Sequence, residues 1–374
     1  MYFETLPKLI NHIDSMDLEP TEQLMVLVGE KSSDSISEMS QYLNGRNIKF
    51  FGGIYPSLLV GNNSKRSGFI LQKHEPVYCS LVFPFMMRMK IEPETLKGCT
   101  AIVLIDGLSD QMKELTDTIY DKIGDNVTYV GGGAGFYDLA HRKCIFDNKG
   151  MYENALYVCI VKSPSYLAVK HGWKKSEGPF FVKRSRDNIL CQLDNYNAFD
   201  VYRSVIEDIE GVTLGKEDFF TYAKDYPFGI VQDNGSVIVR DPINLNEDNE
   251  IICVASVPEG SDVYILKGDT DTLLASSLEI AELCVNNAPY EYSPMLFDCI
   301  SRAMFLEDRF EEELSNIQDK MSFPVEGALS IGEIATLKNG EIVIHNKSTV
   351  LALLDHEKPG RCRVTTQLTS STSI

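Results

Sequence analysis

Apolar positions recur along this chain with two different periods. Gln23-Leu24-Met25-Val26-Leu27-Val28 is a continuous apolar run of strand length, and residues 101–105 and 155–161 form similar runs. Runs of this kind read as strands buried on both faces. Between them the period lengthens. Residues 32–43 place Ile36, Met39, Tyr42 and Leu43 on one side, and residues 110–123 place Leu115, Ile119 and Ile123 on one side. Both segments are predicted to be amphipathic helices. Further strands are predicted at 48–51 (ended by Gly52-Gly53), 68–71, 77–85 and 127–130.

After Lys170-His171-Gly172-Trp173 the pattern loosens. A helix over 197–210 carries Phe199, Tyr202, Val205, Ile206 and Ile209. Strands follow at 237–240, 251–257 and 262–266, then a helix at 269–286, a buried strand at 295–297, a charged helix at 308–320, and strands at 328–334 and 341–344. Strands mixed with helices define an α+β (mixed α/β) class. Several links are too short for a parallel crossover, so antiparallel pairs are required as well. The predicted organisation is two lobes, each a mixed β-sheet packed with helices. Residues 1–22 form an N-terminal extension, 23–219 the first domain, 220–355 the second, and 356–374 a flexible polar tail.

Length supports that division, because 374 residues exceed one ordinary core. The formal charge of −19, from 35 basic and 54 acidic residues, disfavours nucleic acid and anionic membrane surfaces as partners. Nine cysteines are scattered with no CxxC pair, which points to a reducing compartment. The N-terminus has no secretory pattern, and no run approaches a membrane span. A cytoplasmic location without membrane insertion is therefore expected.

Familiar catalytic signatures are missing: there is no GxxxxGK[ST], no HExxH, no zinc-spaced Cys/His cluster and no GxSxG. No metal set and no catalytic residue is assigned. Four features remain. Gly131-Gly132-Gly133-Ala134-Gly135 reads as a tight turn, or as a turn whose free N–H groups hold an anion. His171-Gly172-Trp173 contains the single tryptophan and reads as core, or as a ligand platform. Arg302 stands near a helix start, unfavourable for the helix dipole, and needs a carboxylate partner or an anionic ligand. Finally, the strands around Glu333 and His345 flank Lys338-Asn339-Gly340, a strong hairpin turn signal. That hairpin brings Glu333 near His345-Asn346, as a polar ligand site or as a buried hydrogen-bond network.

The order of these elements carries a resemblance. Gly131 to Gly135, Gly172-Trp173, Pro258-Glu259-Gly260, Cys299-x-x-Arg302, Gly332-Glu333-Ile334 and His345-Asn346 together are similar to a FIST N-terminal domain followed by a FIST C-terminal domain, over residues 23 to 355. Ser348 stands where the family's HNxT pattern has Thr, and Gly52-Gly53-Ile54-Tyr55 replaces a small, polar turn. The resemblance implies a sensory protein that reports small-ligand occupancy to a separate signalling partner, such as a kinase or a cyclic-nucleotide enzyme. In such a sensor the ligand contacts expected here are Gly131, Gly132, Gly133, Arg302, Glu333, His345 and Asn346. One branch of the family binds haem to sense nitric oxide, which makes His171 or His345 the candidate axial ligand here. A further alternative is an enzyme with Glu333 and His345 as an acid/base pair.

Overall fold

The computed structural model describes residues 1–356 apart from Asn234, Asn287, Lys338 and Asn339. The expected tail from 357 onward, and two residues of the Lys338-Asn339-Gly340 turn, lie outside the described residues.

Three buried apolar runs each open a strand–crossover–strand unit. Gln23–Gly29 lies parallel to Phe50–Tyr55, joined through helix Ile36–Gly45. Cys99–Asp106 lies parallel to Val127–Ala134, joined through helix Met112–Ile123. Tyr292–Cys299 lies parallel to Glu326–Ser330, joined through helices Ile300–Leu306 and Phe310–Gln318. A helix is needed because no tight turn can join parallel neighbours. In each unit a later strand returns antiparallel against the first: Phe69–His74, Leu156–Val161 and Thr349–Asp355. An outer strand covers each returning one: Tyr2–Phe3, Pro76–Val82 and Ser165–Lys170.

The remaining strands are exchanged. The hairpin leaving each unit's second strand completes a different unit's sheet. Ser57–Val60 leaves the first unit and pairs with Glu326–Ser330 of the third. Ile145–Asp147 leaves the second and pairs with Phe50–Tyr55 of the first. Glu333–Thr336 leaves the third and pairs with Val127–Ala134 of the second. The outcome is three mixed six-stranded sheets linked in a cycle. Their shared core takes Val26, Phe51, Leu104, Phe297 and Val350 from all three sheets. Helices cover the outer faces: Met112–Ile123 packs on the second sheet, and Thr270–Val285 with Phe310–Gln318 on the third.

Between Ser165–Lys170 and Thr270–Val285 the chain builds an additional antiparallel unit. Its long strand Lys174–Arg186 pairs with Asp262–Lys267 and Ile189–Leu193. Helix Ala198–Glu210 packs Phe199, Tyr202 and Ile206 onto its own apolar cluster. Asn197 caps that helix by accepting from the Phe199 and Asp200 N–H groups. Strand content exceeds helix, 40% against 28%, and the sheets are mixed and packed with helices, so the fold is α+β. No described helix is long and apolar enough to cross a membrane.

Four local expectations are corrected. Gly52-Gly53 does not end a strand but lies inside Phe50–Tyr55. Gly131, Gly132 and Gly133 form no turn; they lie inside Val127–Ala134. Both runs are glycine because the backbones meet closely: a Cβ on Gly52 would sit 2.0 Å from the Val26 carbonyl oxygen, and one on Gly131 1.8 Å from that of Val103. The single strand expected over 328–334 is two strands, broken at Gly332, whose φ of +86° suits glycine. The loosened pattern after Trp173 hides a 13-residue strand, unrecognised because most of its residues face water.

Candidate functional site

The third unit concentrates polar side chains where it meets the additional antiparallel unit. Asp298 and Cys299 end strand Tyr292–Cys299, and Ser301 and Arg302 begin the helix that follows. Glu313 comes from helix Phe310–Gln318. Asn346, Lys347 and Ser348 link Ile342–His345 to Thr349–Asp355. Asp241 follows strand Val237–Arg240 of the antiparallel unit. All of these are buried, Arg302, Glu313, Glu333 and Lys347 completely.

Arg302 is held on every side. Its Nε donates to Glu313 Oε1 at 3.0 Å and its Nη2 to the same oxygen at 2.8 Å, with Asp298 Oδ1 at 3.5 Å. Nη1 donates to the carbonyls of His171 and Lys347, and Nη2 to that of Leu273. The cation near a helix start therefore has carboxylate partners. Lys347 occupies the left-handed region at φ +50°, uncommon for a residue with a side chain. That conformation offers its carbonyl to Trp173 Nε1 (3.0 Å) and to Arg302. Its ammonium meets Asp241 Oδ1 at 3.0 Å and the Lys224 carbonyl at 2.9 Å, and lies 5.1 Å from the Trp173 ring centre.

Four carboxylates thus share this region with three buried cations, Arg302, Lys347 and Arg240, the last donating to the Ile344 carbonyl at 3.0 Å. The imbalance is relieved by protonation. Burial, then the neighbouring Glu313, pushes the Asp298 carboxyl well above the usual range. Burial pushes Glu333 up to about 8, against hydrogen bonds from Ser330 and the Ser348 N–H that favour its anion. Both shifts favour the neutral acid and so reduce the negative charge buried here. The nearby imidazoles are neutral too: burial lowers His345 to about 3 and His171 to about 4.

Sequence-predicted residues divide accordingly. Arg302, Glu333 and Asn346 meet in one network, with Asn346 Oδ1 accepting from the Asp241 N–H at 3.4 Å. Glu333 and His345 are register partners on adjacent strands. Glu333 turns to Ser330 and Ser348, and His345 Nε2 is buried without a hydrogen-bond partner. Gly131 and Gly132 pair with Ile334 and Glu333, and the Gly133 N–H donates to the Gly332 carbonyl at 2.7 Å, so these amides hold the sheet together. Asp241, Asp298, Glu313 and Lys347 were missed. Asp298 and Lys347 each adjoin a flagged residue, and a charge beside an apolar strand was the available signal.

Two cavities lie beside this network. A crevice of about 10 Å³, room for one water, is lined by Leu108, Asp241, Cys299, Ser301, Ile331 and Gly332 among others. An open cleft of about 290 Å³ is lined by Glu210, Thr221, Tyr222, Lys224, Asp225, Tyr226, Lys267, Gly268 and Phe305. Phe305 packs edge-on against Trp173 at 5.0 Å between ring centres, and Lys267 lies 3.4 Å from Glu210. Burial raises the Asp225 carboxyl. Neither cavity is lined by His171 or His345, and His171 Nδ1 already accepts from the Trp173 N–H at 3.0 Å. The Glu333–His345 pair likewise lines neither of these cavities.

A closed junction of buried charges thus lies beside an open polar cleft on an α+β frame. The FIST N domain matches residues 70–196 and the FIST C domain residues 198–336. The chain belongs to the FIST family, whose domains serve signal transduction and small-ligand sensing. Among curated proteins, none matches the chain.

Proposed function

We propose that this chain is a cytoplasmic sensory protein whose ligand occupies the 290 Å³ cleft and whose occupancy is read by a separate signalling partner, such as a kinase or cyclic-nucleotide enzyme. The cleft suits a small zwitterion such as an amino acid. Glu210 and Asp225 offer anionic contacts, Lys224 and Lys267 cationic ones, and Tyr222, Tyr226 and Phe305 apolar surface. Ligand sites of this kind combine apolar walls with a few orienting polar groups.

One observation carries the reading. The carbonyl of cleft residue Lys224 accepts from the buried ammonium of Lys347, which also holds Asp241. A ligand that shifts residues 224–226 acts directly on a buried ion pair at the junction of two structural units. In this reading Arg302, Glu333, His345 and Asn346 support that junction rather than touch the ligand. A ligand changes output only by favouring one of two states, and a buried charge pair supplies two distinct arrangements.

The test is a thermal-shift and calorimetric panel of amino acids and haem against wild type, Lys224→Gln and Lys267→Gln. One amino-acid class should stabilise wild type, and each substitution should weaken its binding about tenfold or more, the worth of a charge-assisted hydrogen bond. Haem should leave the melting curve unchanged and give no Soret band. Full retention of affinity in both variants would place the ligand elsewhere.

A further inference from the structure

Cys79 and Cys159 are direct register partners on the antiparallel strands Pro76–Val82 and Leu156–Val161. The type of pairing follows from one neighbouring bond. The Asp106 N–H donates to the Ala155 carbonyl at 3.0 Å, so Ala155 directs its backbone groups towards strand Cys99–Asp106. Backbone direction alternates along a strand, and pairing with Cys99–Asp106 is regular from Leu156 to Val161. Cys159 therefore also points its backbone that way, and its pairing with Cys79 is non-hydrogen-bonded. Such pairs bring Cα atoms to about 4.5 Å with side chains on one face, inside the range of about 4.4–6.8 Å that a disulfide needs.

Access is asymmetric. Pro76–Val82 is the last strand of its sheet. Cys79 is half-buried, whereas the other described cysteines, Cys159 included, are buried. The hydrogen bond with Cys79 and then burial push the Cys159 thiol well above its ordinary range. Tyr157, two residues from Cys159, stacks on Phe51 at 4.4 Å and closes the inner side of the pair.

We infer that Cys79 and Cys159 form a reversible oxidation site, with Cys79 the peroxide-reactive thiol and Cys159 the resolving one. The thiolate of Cys79 attacks one oxygen of a hydroperoxide. The O–O bond breaks, the leaving oxygen takes up a proton, and Cys79 becomes a sulfenic acid. The Cys159 sulfur then attacks the Cys79 sulfur. The S–O bond breaks, the hydroxyl leaves as water with the Cys159 proton, and an S–S bond forms. With hydrogen peroxide, two thiols and one peroxide give one disulfide and two waters. The bond staples the sheet's outer strand to its neighbour. Its short span, at the low end of the tolerated range, favours easy reduction.

The full chain is treated with hydrogen peroxide, digested without reductant and mapped by mass spectrometry. Wild type should lose two thiols, show one linkage joining Cys79 to Cys159, and regain both thiols with dithiothreitol. Cys159→Ser should stop at a Cys79 sulfenic acid captured by dimedone. Cys79→Ser should lose no thiols at the same dose. A wild-type dimedone adduct at Cys79 without the linkage, a linkage of either residue to a third cysteine, or no thiol loss overturns the inference. If a serine variant does not fold, the wild-type map decides alone.

Discussion

Glu333 and the two imidazoles give the molecule opposed pH dependences. Glu333 titrates at about 8 in the fold, above its ordinary 4.5. Its contribution is whole below pH 4.5 and is lost as pH rises through 8. His345 and His171 are lowered from 6.5 to about 3 and about 4. Their contribution is present above pH 6.5 and falls away as pH drops towards those values. Glu333→Gln keeps the shape and removes the charge. Chemical denaturation of this variant should show a flatter decline between pH 4.5 and 8, by on the order of a few kcal/mol, with the acid limb unchanged. An unchanged alkaline limb would assign the decline to another group. Arg302→Met acts differently, leaving Glu313 buried without its cation. It should cost about 3–5 kcal/mol in the same assay.

At the scale of elements, one device repeats. In all three parallel pairs a second-strand glycine is the register partner of a first-strand residue: Gly52 with Val26, Gly131 with Val103, and Gly327 with Leu296. A Cβ at these glycines would lie 2.0, 1.8 and 1.7 Å from the partner carbonyl oxygen. Backbone cannot retreat as a side-chain tip can, so each Gly→Ala change should cost at least the upper end of about 1–3 kcal/mol. Gly45→Ala is the control. Nothing lies within 4 Å of a Cβ there and the residue ends a helix, so it should be neutral or slightly stabilising in thermal melts. These glycines also show where sequence reading stops. The runs at Gln23–Gly29 and Cys99–Asp106 were legible because burial on both faces writes itself into consecutive residues. The triple glycine was misread as a turn because close backbone approach belongs to a partner strand, which no local window contains. The nearness of Glu333 to His345 was legible from the hairpin turn signal. The pairing of Lys347 with Asp241, between distant segments, was not.

For the whole molecule, the cycle of exchanged hairpins sets cooperativity. The third unit lends Glu333–Thr336 to the second sheet and borrows Ser57–Val60 from the first. A chain ended at Lys320 loses Glu326–Ser330, its exported hairpin and Thr349–Asp355. Hydrogen exchange should then show lost protection not only in Tyr292–Cys299 but also in Val127–Ala134, far earlier in sequence. Retained protection at 127–134 would mean that the sheets fold independently.

The closed cycle also decides where motion is affordable. No sheet owns all its strands, so spreading any two apart breaks ladders in a third, and the three-sheet body resists hinging as a woven ring resists being pulled open at one spoke. The antiparallel unit from Lys174 to Lys267 takes no part in that weave. Under the function proposed above, a ligand in its cleft acts by shifting that unit against the three-sheet body, and the downstream reader contacts both.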